Sequence, residues 1–308
     1  MKLAMVFPGQ GSQAVGMLKG YDGLPEVDAV RKDVADVLGN DFLSLLDEGP
    51  AEKLSLTVNT QPAMVTAGYL AYRAWIASGG PRPAMVAGHS LGEYTALVAA
   101  GALTFRDCLP LVRFRAQAMQ EAVPEGKGAM AAILNLDDDL VRAACAEAGG
   151  EVQAVNFNAP GQVVIAGEKE AVARAIEKCK EKGAKRALPL PVSAPFHSSL
   201  MKPAGEKLKG YLQNVSLAAP SIPLINNVDV KIETDPARIK DALARQAASP
   251  VRWVETVKSM AATGVTHIVE CGPGKVLAGM TKRIDGNLQS FTLADRAALE
   301  QALQGVKS

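Results

Sequence analysis

The 308-residue chain is 48% hydrophobic, enough to bury a large core in one compact body, or in one large and one small, without disulfide or metal staples. Its 33 Lys and Arg against 32 Asp and Glu leave no overall field for nucleic acid or an anionic membrane surface, so a charged partner must be read by a local patch. Four dispersed cysteines without Cys-x-x-Cys spacing, and only three histidines, argue against a zinc site and for reduced, structural thiols.

The first apolar run, Leu3 to Phe7, predicts a strand. It is too short for a secretory signal, and no later run approaches a membrane span, so a cytoplasmic protein is expected. The run enters a polar loop, Pro8 to Gln13, interrupted by Gly9 and Gly11, at the carboxyl end of the strand, where open sheets place their ligands. Helical patterns follow around 27–38 and over 61–76, where Met64, Gly68, Ala71 and Trp75 share one face. A short apolar run at 84–87 then meets Gly88-His89-Ser90-Leu91-Gly92 and a helix-forming stretch. Thr104 and Asp107 have capping-box spacing, which predicts a helix from about 105 to 121.

Between 126 and 192 the order changes to strand 129–134, helix 138–148, strand 152–157, strand 162–166, helix 169–182 and strand 185–190. Asn158-Ala159-Pro160-Gly161 reads as a hairpin turn, and the run Asp137-Asp138-Asp139 as the cap of the helix it precedes. This βαββαβ order is that of a ferredoxin-like unit. The larger pattern resumes with a helix near 199–213, a strand at 222–226, helices near 236–247 and 254–263, a strand at 266–270 and another helix after Gly274. The whole predicts an α/β fold: a large subdomain, 1–125 and 193–308, with a mostly parallel sheet, and a small subdomain, 126–192, inserted into it.

Strand, tight turn and helix around Ser90 form the arrangement that holds a nucleophilic serine at a sheet edge, with Gly88 and Gly92 where a side chain would clash. A serine hydroxyl needs a base to take its proton. His197 is the candidate, because it lies in a two-proline loop, Pro191 to Leu200, that leaves the small subdomain and leads into a helix. His89 reads as packing and His267 as a strand residue. Asp107 and the triple Asp lie between serine and histidine but in no convincing strand-end loop, so a Ser-His dyad with a carbonyl oxygen orienting the imidazole stays open beside a triad. The backbone N–H of Leu91 and one near Gln10 are candidates for the oxyanion hole. Arg115 is either a carboxylate-binding group or, beside Arg113, a helix-surface residue; spacing alone leaves both open.

With these pieces in place the chain resembles the malonyl-CoA:acyl carrier protein transacylases, nearly end to end. The likeness is carried by Phe7 to Gln13, Thr60 to Ala63, Gly88 to Tyr94, Arg115 with Met119-Gln120, Asn156 to Gln162, Pro191 to His197, Asn226 to Asp229, Gln246 to Trp253 and Gly272 to Gly274. It implies an α/β-hydrolase-like large subdomain with a ferredoxin-like insert, and a Ser90–His197 dyad whose imidazole proton is accepted by the main-chain carbonyl of Gln246. It also assigns Arg115 to the malonyl carboxylate, which suits a guanidinium able to grip a carboxylate through two parallel hydrogen bonds. Gln61, Asn158 and Phe196 are candidate pocket residues, the bulk of Phe196 discouraging a branched α-carbon. Ala116 departs from the glycine usual in the family.

The resemblance implies a ping-pong transfer of malonyl from malonyl-CoA, through an ester on Ser90, to the phosphopantetheine thiol of acyl carrier protein, with no cofactor or metal. Carrier proteins of this pathway are acidic, and Lys178, Lys182, Lys185 and Arg186 form a candidate docking patch, with Lys180, Lys202, Lys207 and Lys209 nearby in sequence. A monomer is the expected state. Two other readings stay open from the residues alone: an acyl hydrolase or thioesterase with the same dyad, and a non-catalytic acyl-CoA-binding protein that keeps the fold.

Overall fold

The computed structural model describes residues 1–192 and 194–307; Ser193, where the second segment of the large subdomain is expected to begin, and Ser308 lie outside the described residues. Among the described residues the strands are β1 (Leu3–Phe7), β2 (Met85–Gly88), β3 (Gly128–Leu134), β4 (Val152–Ala159), β5 (Gln162–Glu168), β6 (Arg186–Pro189), β7 (Leu224–Ile225), β8 (His267–Glu270) and β9 (Gln289–Thr292). They form two sheets. One has the order β7-β2-β1-β8-β9 and is parallel throughout; the other, β4-β5-β3-β6, is antiparallel.

Every residue of β1 and β2 is buried, as continuous apolar strands must be when helices cover both faces of a parallel sheet. The register sets Phe7 beside Gly88 and Val6 beside Glu270, so the loops that leave β1, β2 and β8 emerge together at one edge. The helices Thr57–Ala77 and Phe105–Glu121 pack against each other on the large sheet's side of the molecule. Two glycines make the turn after β2 possible: a Cβ on Gly88 would lie 1.9 Å from the Gly92 carbonyl carbon, and one on Gly92 would lie 2.0 Å from the Phe7 carbonyl oxygen. The elbow is pressed directly onto β1.

The antiparallel sheet has the strand order of a ferredoxin-like βαββαβ unit. On one face the helices Asp138–Ala148 and Lys169–Glu181 close a core of Ile133, Val163 and Ile165. On the other, Met130, Val155 and Val164 pack with Phe196 and Met201, which anchors the loop carrying His197 between the two sheets.

Several sequence expectations are amended. Thr104 Oγ1 accepts from the Asp107 N–H at 3.1 Å, but Asp107 is exposed and does not complete the reciprocal half of the capping box. Asp137 takes the N-cap position of its helix without a side-chain capping bond. The strand expected at 222–226 shrinks to Leu224–Ile225, since Pro223 interrupts it, Asn226 bonds back to Lys231 and Asp229, and Asn227 turns beneath Ser90. The helices Asn40–Glu48 and Arg296–Gly305 and the strand β9 were not foreseen; each is short, and the mixed Gln-Ser-Phe-Thr of β9 lacks the apolar run of a central strand. Among the described residues no helix is long and apolar enough to cross a membrane.

Candidate active site

Ser90 sits at the carboxyl end of β2 with φ +51°, a strained value for a side-chain-bearing residue, and the helix Gly92–Ala99 starts two residues later. The turn lifts its Oγ into a cleft of about 920 Å³ at the junction of the two sheets, a volume that suits a small-molecule site. His197 also has positive φ, +67°, and is 3% exposed. Its Nε2 lies 2.6 Å from Ser90 Oγ, and its Nδ1 lies 2.9 Å from the Gln246 carbonyl oxygen. A carbonyl can only accept, so Nδ1 carries the proton and Nε2 is left to accept the serine hydroxyl. Burial, and then the nearby Arg115 charge, push the His197 pKa down to about 3, which keeps the imidazole neutral.

The Gln246 carbonyl belongs to the last residue of the helix Pro236–Gln246, where main-chain oxygens lack intrahelical partners. That helix end also favours positive charge, including the imidazolium that forms when His197 takes a proton. The backbone N–H groups of Gln10 and Leu91 are engaged by no other group among the described residues, and both residues line the cleft beside Ser90.

Arg115 projects from the helix Phe105–Glu121 to the floor of the cleft and is 2% exposed. Nη1 donates to Gln61 Oε1 at 2.8 Å, while Nη2 donates to Gln246 Oε1 at 2.9 Å and to Ser90 Oγ at 3.3 Å. The guanidinium lies 5.3 Å from the centre of the Tyr94 ring, and Nε is buried without a hydrogen-bond partner. A buried cation with donors to spare, and no carboxylate bonded to it, is poised to receive an anion. Arg113 instead lies over the Phe42 ring at 5.2 Å.

Gln61 and Phe196 line the cleft as well. Asn158 does not, and that expectation is corrected. Register shifts in β4 on either side of Asn156 and Phe157 disturb the alternation, so Asn158 Oδ1 instead accepts from His89 Nε2 at 2.7 Å. Asn156, two residues earlier, takes the place in the cleft wall. His89 packs at 5.4 Å on the Trp253 ring, and His267 stacks at 6.2 Å on Phe291 on β9.

Sequence reasoning missed a polar layer beneath the serine. Asn227 Oδ1 accepts the Ser90 N–H at 2.8 Å, and Asn227 Nδ2 donates to the Gly88 carbonyl at 2.6 Å. The Gln246 side chain donates through Nε2 to the Ser90 carbonyl at 2.9 Å and to Glu93 Oε2 at 2.7 Å. The available signal was Glu93 itself, a charged residue inside the apolar stretch that follows the elbow.

Comparison with known proteins sets this fold and cleft in a class. The acyl transferase domain family matches residues 4–295. A protein of Escherichia coli named malonyl CoA-acyl carrier protein transacylase is 54% identical over 306 residues, 98% of this chain and 99% of its own length; one of Bacillus subtilis with the same name is 46% identical over 310 residues, 99% and 98% of the two chains. The crystal structure of the acyl-carrier-protein S-malonyltransferase of Burkholderia pseudomallei superimposes with a TM-score of 0.97 at 64% identity, covering 99% of this chain and 100% of that one. A type II polyketide synthase acyl carrier protein in complex with its malonyl-transacylase gives 0.97 at 50% identity, with the same coverage. The chain belongs to the malonyl-CoA:acyl carrier protein transacylase family of acyltransferases.

Proposed function

We propose that this enzyme moves a malonyl group from malonyl-CoA to the phosphopantetheine thiol of acyl carrier protein, in fatty acid synthesis, by a ping-pong reaction at Ser90. One observation carries the reading: a serine oxygen 2.6 Å from a neutral imidazole and 3.3 Å from a buried guanidinium. Ser90 Oγ attacks the thioester carbonyl while His197 Nε2 takes its proton, and the N–H groups of Gln10 and Leu91 hold the oxyanion. The C–S bond breaks, coenzyme A leaves with that proton, and a malonyl ester remains on Ser90. The carrier thiol then attacks the ester as His197 takes the thiol proton, which passes to Ser90 Oγ as the new thioester forms. Arg115 holds the malonyl carboxylate throughout, and Phe196 crowds the α-carbon. The setting is the cytoplasm and the working unit a monomer.

Mixing the enzyme with malonyl-CoA and no acceptor is expected to release one equivalent of coenzyme A and add one malonyl group to Ser90, read by intact-mass spectrometry and peptide mapping. Continuous release of malonate with no adduct would favour the hydrolase reading instead.

The carrier-protein patch is proposed on Lys178, Lys182, Lys185 and Arg186. Lys178 already pairs with Glu181 at 3.0 Å and Lys182 with Glu147 at 2.7 Å, whereas Lys185 and Arg186 are exposed at the start of β6. Exposed pairs of this kind are individually weak and exchange partners readily. Reversing the charge at Lys178 and Lys182 together is expected to raise KM for carrier protein and leave that for malonyl-CoA unchanged, with added salt mimicking the effect on wild type. Equal KM values in wild type and variant would move the patch elsewhere.

A further inference from the structure

The layer beneath the serine contains a carboxylate that the reaction above does not use. Glu93 lies in the first turn of the helix Gly92–Ala99, is 2% exposed, and forms no ion pair among the described residues. Its Oε2 accepts from Gln246 Nε2 at 2.7 Å and from the Asn227 N–H at 3.3 Å. The Gln246 amide therefore faces an acceptor at one end and the Arg115 guanidinium at the other, its Oε1 2.9 Å from Nη2. Turned over, the same amide would set its NH2 against the donors of Arg115 and its oxygen against Glu93, losing both bonds. The main chain of the same residue supplies the oxygen that orients His197, and its Nε2 also reaches the Ser90 carbonyl.

We propose that Glu93 is a positioning residue: through the Gln246 amide its carboxylate sets both the His197 imidazole and the Arg115 guanidinium relative to Ser90. It touches no substrate. Its negative end and the positive end at Arg115 polarise one amide between them, which strengthens both hydrogen bonds in a water-poor layer. The proposal rests on the Ser90–His197 reading above.

Both N–H groups donate to Oε2, and a proton on the carboxyl would remove the charge that strengthens both bonds, so Glu93 should also set a pH dependence. Burial raises its pKa to about 7, against the pull of Gln246, Asn227 and Arg115. The other charged or titratable groups that bear on it are Asp229, which is itself bonded to Arg245 at 2.8 Å, its neighbour Tyr94, and His197 across Gln246. The depressed pKa of His197 keeps that group neutral through the same range. Glu93 is therefore ionised and the site ordered on the alkaline side, and reactivity falls as pH drops through neutrality.

The test uses a fluorophosphonate probe, which reports serine reactivity without malonyl-CoA or carrier protein. Wild type is expected to label Ser90 at a rate that falls below neutral pH. Glu93→Gln, folded by thermal melting, is expected to label about tenfold more slowly above neutrality and to lose the acid limb, with its preference for malonyl-CoA over acetyl-CoA reduced in parallel. A purely structural role would lower the melting temperature and leave the limb in place. Wild-type rate and limb in Glu93→Gln would overturn the proposal; if that variant does not fold, a flat wild-type profile across neutrality would do so. Ser90→Ala serves as the control: if it labels like wild type, the dyad reading itself falls, and if it is silent, the outcome at Glu93 stands alone.

Discussion

Ser90→Ala is expected to leave no malonyl adduct after mixing with malonyl-CoA and to cut transfer to carrier protein roughly 10⁴- to 10⁶-fold, as loss of the nucleophile does in other serine enzymes. The oxygen removed is the only atom of the residue that can form the ester. On the proposed mechanism the backbone donors of Gln10 and Leu91 and the neutral His197 remain, which would bind a thioester and polarise it but have nothing to attack with. The fold should hardly notice. Ser90 is partly open to the cleft, and its main-chain bonds to Asn227 and Gln246 do not depend on the hydroxyl, so stability should change by no more than about 1 kcal/mol. Parallel denaturant melts and mass spectra of the two proteins measure both halves of this expectation. A labelled variant would remove Ser90 from the mechanism.

Arg115→Ala should lose about 3–5 kcal/mol of malonyl recognition, because a carboxylate brought into a buried site without its guanidinium is left unpaired. That corresponds to roughly two to three and a half orders of magnitude in kcat/KM. Acetyl-CoA has no carboxylate to lose, so its kcat/KM should fall much less, and the preference between the two donors should collapse. Both are read from steady-state rates with the two donors side by side; an unchanged preference would refute the role. Arg115→Lys should fall in between, since an ammonium is a point charge and lacks the planar fork. Some general cost is also expected, because Gln61 Oε1 and Gln246 Oε1 both accept from this side chain and would be left bare in the truncated protein.

Much of the geometry of this candidate site was legible without coordinates. Ser90 could be found because an elbow is a local object: a strand, two glycines and a helix within a dozen residues define it, and the close approaches at Gly88 and Gly92 are the physical form of that pattern. His197 could be ranked above His89 and His267 by its place in a loop. Arg115 could not be separated from Arg113 by spacing, since both lie on one helix two residues apart; only the resemblance pointed to Arg115, and the fold turns it to the cleft floor while Arg113 covers Phe42. Asn158 was misjudged because the disturbed register of β4 is set by pairing with β5, which no local pattern reports.

What the linear order of residues determined by itself was each element's type and the chemistry carried at its ends: apolar runs that must be buried, glycines where backbones touch, a serine after a strand. The tertiary structure alone decided which distant groups meet. Gln246 and Glu93 are 153 positions apart, yet they share a hydrogen bond of 2.7 Å. Such a contact depends on strand order, helix crossing and a helix that ends at one particular carbonyl, and these are settled by packing the whole chain, whereas propensity and periodicity act over a few neighbouring residues.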